Sequence, residues 1–159
     1  MAASEHPYHR SLAPMMWVFA ALAGLELAVV HFLLALWDWR VALAVTLASL
    51  AGVAWLVRAI RSFRRLPVLV ERDRVVLRAG HIAAVEVPVA NVSAIRTSWE
   101  GAEIKRRDAL NLGLIAYPNV LLELAEPVLR RRRAIRAVAH RFDDPAAFIA
   151  ALEAARVAA

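Results

Sequence analysis

The sequence predicts a membrane α-helical hairpin followed by a small β-rich (α+β) domain of about seven strands capped by a C-terminal helix. Three observations carry that prediction. First, 61% of the 159 residues are hydrophobic and mean hydropathy is +0.53, whereas an average soluble domain is roughly 45–50% apolar. Second, the formal net charge is nonetheless +6 and the pI near 11.1, and the charge is segregated. Residues 11–57 contain three formally charged side chains, Glu26, Asp38 and Arg40, and the other 31 of the 34 lie outside that window. Third, from Leu66 onward the long apolar runs give way to short β-type runs broken by turn residues. Such aliphatic richness excludes a disordered polar tail. The absence of cysteine excludes disulfides, thiolate metal sites and cysteine nucleophiles.

The run Pro14–Trp37 (PMMWVFAALAGLELAVVHFLLALW) measures roughly 36 Å as a helix, enough to cross a hydrocarbon core of about 30 Å with some tilt. After Asp38-Trp39-Arg40, the run Val41–Ile60 is again of spanning length. A cleaved signal peptide has a shorter apolar core and is not followed at once by a second span. Arg58, Arg61, Arg64 and Arg65 stand at the exit of the second helix, against Arg40 in the hairpin tip. The positive-inside rule then puts both termini and the β-rich part in the cytoplasm, with Trp37 and Trp39 at the outer interface and Trp17 and Trp55 at the inner one. Small residues recur every fourth position, Ala20, Gly24 and Ala28 in the first span and Ala44, Ala48 and Gly52 in the second. Such stripes let backbones approach closely, within the hairpin or in a homo-oligomer.

Two polar residues interrupt the first span. An ionised Glu26 near the bilayer centre costs at least about 2.5–3.5 kcal/mol, so the carboxyl is expected to be protonated or partnered. It points about 200° from Gly24 by helical phase, and hence outward if the small-residue stripe faces the second span. His31 lies one heptad from Gly24, at a depth where Thr46 or Ser49 meets it. A partner-binding carboxylate, a proton-handling pair or a heme ligand is the functional reading. A neutral glutamic acid that helps dimerisation and a hydrogen-bonded structural histidine are the plain ones, and five-residue spacing puts the two side chains on different faces.

In the β-rich part, Leu66–Val70 and Val75–Leu77 flank a charged turn, Glu71–Arg74. Gly80 punctuates the chain before Ile82–Val89, in which Val85, Val87 and Val89 share a face and Pro88 marks an end or edge. Asn91–Arg96, Leu110–Ala116 and Val120–Ala125 follow as strands, with a polar stretch at Glu100–Asp108 and a turn at Tyr117-Pro118-Asn119. Glu126-Pro127 reads as a break, Arg130–Arg133 as a basic loop and Ala134–Phe142 as the last strand. Asp143 or Asp144 is the expected N-cap of a closing helix with Pro145 in its first turn and Phe148, Ile149 and Leu152 on its apolar face. That order suits a small sandwich or partly open barrel covered by a helix.

Residues 66–155 resemble a bacterial pleckstrin-homology-like (PH-like) domain of the kind attached to short transmembrane hairpins. The resemblance is carried by LVERDRVVLRAG at Leu69–Gly80, VEVPVANVSAIR at Val85–Arg96 and HRFDDPAAFIAAL at His140–Leu152. It implies a bacterial inner-membrane protein with a cytoplasmic tail (1–13), a hairpin (14–61) and a lipid- or protein-binding scaffold (66–155). It does not imply phosphoinositide binding, because Glu71-Arg72-Asp73-Arg74 alternates in sign and lacks the lysine such members use.

Enzymatic signatures are missing: the sequence has no G-x-S-x-G elbow, glycine-rich phosphate loop or H-E-x-x-H. His6 and His9 form an H-x-x-H in an expected mobile tail with no third ligand nearby, so neither metal nor cofactor is expected. His81 and His140 read as surface or packed residues, and Trp99 as a core residue or an exposed aromatic for a protein contact. Arg58, Arg61, Arg64 and Arg65 are placed to meet anionic lipid, where each gains about 1 kcal/mol, though topology alone also accounts for them. Arg130, Arg131, Arg132 and Arg133 are placed for headgroups or an acidic protein partner. Nucleic acid is not expected, since no aromatics interleave with these short clusters. The expected function is that of a non-enzymatic inner-membrane protein presenting a PH-like interaction domain at the cytoplasmic membrane surface, in membrane-complex assembly. The alternative is a small membrane enzyme or redox-associated subunit using Glu26 and His31.

Overall fold

The computed structural model describes residues 4–158. Its order is β1 (Ser4–His6), α1 (His9–Trp37), α2 (Trp39–Arg65), β2 (Val68–Val70), β3 (Arg74–Ala79), β4 (Ala83–Pro88), β5 (Val92–Arg96), β6 (Ala109–Asn111), β7 (Val120–Arg130), β8 (Arg133–His140) and α3 (Pro145–Ala158). Two long apolar helices thus precede two four-stranded sheets and a closing helix, an α+β arrangement. The sheets run β1-β2-β3-β4 and β5-β7-β8-β6. All pairings are antiparallel except β6 with β8.

The hairpin turns on a single residue. Asp38 ends α1 and caps α2, its carboxylate accepting from the N–H groups of Arg40 at 2.7 Å and Val41 at 3.4 Å. Trp39 and Arg40 therefore belong to the first turn of α2, not to a loop. Ala20, Ala23, Leu27, Val30 and Leu34 of α1, and Ala42, Thr46, Ser49, Val53, Leu56 and Ile60 of α2, are less exposed than their neighbours. Alternating steps of three and four are those of a left-handed helix seam. This corrects most of the expectation from the small-residue stripes: Ala20 is buried, but Ala28, Ala44, Ala48 and Gly52 are exposed, and a Cβ on Gly24 or Gly52 would meet nothing within 4 Å. Both helices are long and apolar enough to cross a membrane, and their apolar windows are only 6% and 11% buried. Core helices of a soluble protein are mostly buried, and these are not.

The N-terminal segment is built into the domain. Ser4, Glu5 and His6 pair with Val70, Leu69 and Val68, so β1, before the hairpin, joins β2, after it. Tyr8, Leu12 and Phe63 enter the same core as valines of β3 and β4, leucines of β7 and Phe148 and Leu152 of α3. The strand at Ser4–His6 and the start of α1 at His9 replace the expected mobile tail. An aromatic column runs from α2 to α3 through this segment. Tyr8 lies 6.2 Å from Phe63 and 5.0 Å from His140, and Phe142 lies 4.6 Å from His140 and 3.9 Å from Phe148.

Three expected boundaries shift. The strand expected at Leu110–Ala116 ends at Asn111, because Gly113 and Leu114 (φ +54°) enter a turn. Strand β7 continues through Glu126-Pro127, the register shifting between Glu123 and Val128, and such a bulge is where a strand accommodates proline. At α3 the cap is Asp144, which accepts from Ala147 N–H at 2.9 Å. The Asp143 carboxylate instead accepts from Arg10 N–H at 3.0 and 3.2 Å.

Candidate functional site

The junction between the hairpin and the domain concentrates the unusual chemistry. Arg58, Arg61 and Arg65 recur at steps of three and four, so they share one side of the last turns of α2. With Ser62, Leu66 and His81 they line an open groove of about 470 Å³. Among the described residues, the ion pairs within 4.0 Å involve none of these arginines. Arg64 is exposed at the same level but does not line the groove.

His81 is brought there by the turn between β3 and β4. Gly80 adopts φ +54°, and a Cβ there would lie 2.1 Å from Ser62 Oγ and 2.8 Å from Phe63 Cδ1. Only glycine allows both that conformation and that approach. The Gly80 N–H donates to the Tyr8 hydroxyl at 2.7 Å and the His81 N–H to Ser62 Oγ at 3.1 Å, while Ser62 donates to the Ala59 carbonyl at 2.6 Å. The His81 ring then meets Trp55 edge-on, with centroids 6.1 Å apart. Burial pushes the Tyr8 phenol up to about 12, against the hydrogen bond from Gly80.

A second groove of about 410 Å³ shares His81 with the first and adds Arg78, Glu86, Arg130 and Arg131. Arg130 is held there by a 3.2 Å bond from its Nε to the Ala84 carbonyl. Arg131 and Arg132 form a two-residue turn between the paired Arg130 and Arg133, with φ of +46° and +67°. Such turns normally use Asn-Gly, because both residues are left-handed. Beside them Leu129 is 79% exposed. The Arg130–Arg133 block is therefore not one cluster. Arg133 departs from it, donating to the carbonyls of Arg107, Arg106 and Ala109, so it clasps the loop before β6.

Within the hairpin, His31 Nδ1 lies 2.6 Å from Thr46 Oγ1, one of the two partners its depth allows. Glu26 lines a groove of about 450 Å³ between the helices, with Ala23, Leu27, Ser49 and Gly52 among its walls. This corrects the outward orientation derived from the stripes: once the seam follows Ala23, Leu27 and Val30, Glu26 sits on its flank. No hydrogen bond or ion pair joins Glu26 to His31 among the described residues.

The other histidines take separate roles. His6 Nε2 lies 3.1 Å from Ser4 Oγ and its ring meets Phe148 at 5.4 Å, and burial lowers its pKa despite Asp144 nearby. His9 Nδ1 is 3.9 Å from Asp143. His140 is fully enclosed, each ring nitrogen within 2.9 Å of a backbone carbonyl, those of Arg141 and Arg78. Desolvation lowers its pKa, outweighing both carbonyls. Trp99 is half-buried and stacks on Tyr117 at 6.3 Å, outside the main core.

The polar stretch after β5 is held by Arg96, which donates to Glu103 at 2.6 Å and Glu123 at 2.8 Å. These bonds raise the guanidinium above its ordinary range, and Arg96 in turn lowers the Glu103 carboxyl. Charge is balanced here, in contrast to the junction groove. The β2–β3 turn is likewise neutralised, Arg74 lying 2.7 Å from Glu71 and 3.7 Å from Glu86.

Sequence reasoning groups Arg58 with Arg61, Arg64 and Arg65 at the membrane surface but misses His81, which joins them through a turn whose only local signal is Gly80. Comparison with protein-family profiles, with curated proteins and with solved structures yields no match.

Proposed function

We propose that this chain is a non-enzymatic, multi-pass protein of a bacterial inner membrane, with both termini in the cytoplasm, whose hairpin mounts an interaction domain on the membrane surface for membrane-complex assembly. The observation that carries this reading is the β1–β2 pairing. Both cytoplasmic ends of the hairpin enter one sheet, and only Leu66 and Pro67 separate α2 from β2. A domain attached twice and so closely is a fixed platform rather than a tethered one. The PH-like reading of residues 66–155 rests on the order of seven strands then a helix alone. The unpaired arginines at the junction support a cytoplasmic, lipid-facing placement.

The test uses the natural absence of cysteine. In intact cells, an impermeant maleimide should label the Arg40→Cys variant at the hairpin tip and leave Ser93→Cys unlabelled until the membrane is opened. Labelling of Ser93→Cys in intact cells, or release of the chain from membranes by alkaline carbonate, would refute the placement. A photocrosslinker at Ser93 or Lys105 should trap a discrete protein partner in cells; crosslinks to no protein would count against the assembly role.

The second reading, an intramembrane enzyme or redox subunit, rests on Glu26 lining an open groove. It predicts loss of cellular function in a folded, inserted Glu26→Gln variant, or a Soret band in the purified chain. The platform reading predicts a neutral substitution and no such band.

A further inference from the structure

We propose that the groove formed by Arg58, Arg61, Arg65 and His81 is a binding site for the phosphate of one anionic membrane phospholipid. The inference rests on the membrane placement above and goes beyond it, because membrane topology requires positive charge near a helix end but not its organisation on one face. Here three arginines line one groove of about 470 Å³, while Arg64, equally placed for topology, stays outside it. None of the three has a carboxylate partner among the described residues. Guanidinium forks match phosphate oxygens in geometry and charge.

The fourth wall is preorganised. The backbone of His81 is fixed, because its own N–H and that of Gly80 are bonded to Ser62 and Tyr8. The ring also packs on Trp55. That indole places the groove at the end of the apolar span, at headgroup depth. Trp55 also lines the apolar groove of the hairpin, so an occupant with acyl chains finds hydrocarbon-compatible surface beside its phosphate. This favours a phospholipid over a free anion. The site is distinct from the charge-neutral turn at Glu71–Arg74.

The test is native mass spectrometry of the full chain in detergent, titrated with phosphatidylglycerol or phosphatidylcholine. One phosphatidylglycerol should be retained in preference to phosphatidylcholine. Arg61→Gln and Arg65→Gln should each weaken it about tenfold, the loss of one charge-assisted contact, and His81→Ala should weaken it too. Arg64→Gln should leave it unchanged, and excess inorganic phosphate should not displace it. Equal weakening by Arg64→Gln and Arg61→Gln would reduce the site to diffuse charge, and equal retention of both lipids would abolish it. Displacement by inorganic phosphate would make it a free-anion site. Arg61, Arg64 and Arg65 are exposed, so unchanged thermal unfolding confirms that each variant is folded. Carbonate extraction separately reports whether the chain is in the membrane, so failure of the site and failure of the placement are told apart.

Discussion

The Tyr8 hydroxyl donates to the Leu66 carbonyl at 3.0 Å, bonding the residue just before α1 to the residue just after α2. The same oxygen accepts the Gly80 N–H at 2.7 Å, so one buried phenol ties together the entry of the hairpin, its exit and the turn that carries His81.

Replacing Tyr8 by Phe keeps the ring in the core and leaves the buried Gly80 N–H and the partly buried Leu66 carbonyl without their partner. The expected destabilisation is about 1–3 kcal/mol for each group left unsatisfied, read as a lower Tm in detergent. The phenol also gives a base-side dependence. Its pKa is raised in the folded chain to about 12, from 10.0. Its contribution is therefore complete below pH 10 and lost as pH rises toward 12. Tyr8→Phe should flatten that part of the stability profile.

Gly80→Ala should destabilise by more than about 1 kcal/mol, the ordinary cost of left-handed backbone on a non-glycine residue, because its Cβ also collides with Ser62 and Phe63. Ser62→Ala removes the nearer clash. The double variant should therefore be more stable than the sum of the single effects predicts, and strict additivity in thermal unfolding would argue against the contact.

Arg131 and Arg132 are both left-handed in a two-residue turn. Substitution by Asn-Gly, which suits that conformation, should stabilise the chain by about 1–2 kcal/mol in a denaturant titration. No gain would mean that the arginines are not strained there.

On the acid side, Arg96 holds the Glu103 carboxyl below its ordinary value. A depressed carboxylate contributes stability above its unfolded pKa and loses it as pH falls through the folded one. Arg96→Gln should therefore lower stability at neutral pH and reduce the further loss on acidification, measured by unfolding from pH 7 downward.

The sequence makes some of this architecture legible and leaves some hidden, for physical reasons. The two long apolar helices are legible because their hydropathy is a property of long windows, and the start of α3 near Asp143-Asp144-Pro145 because a helix cap is local. Depth narrows the partner of His31 to Thr46 or Ser49, and the packing of the two helices selects Thr46. Strand β1 is hidden because Ser-Glu-His has no alternation of its own, and its partner lies across the entire hairpin. The helix seam was masked by abundant alanine, which made a four-residue stripe more conspicuous than the three-four alternation that packs. At the junction, the arginines are visible in sequence, but their convergence with His81 depends on the Gly80 approach to Ser62. Arg133 separates from Arg130 because neighbours in a tight turn point to different loops.

The β1–β2 pairing is tested most directly by a disulfide across its register. Glu5 faces Leu69, and the chain has no cysteine of its own, so Glu5→Cys with Leu69→Cys introduces one possible pair. In native membranes under mild oxidation, the account predicts that both thiols disappear together, leaving nothing for a maleimide to alkylate by intact mass. An off-register pair, Glu5→Cys with Asp73→Cys, should remain alkylatable. If the Glu5–Leu69 pair stays as reactive as that control, the two ends of the hairpin are not joined in one sheet and the fixed platform is wrong.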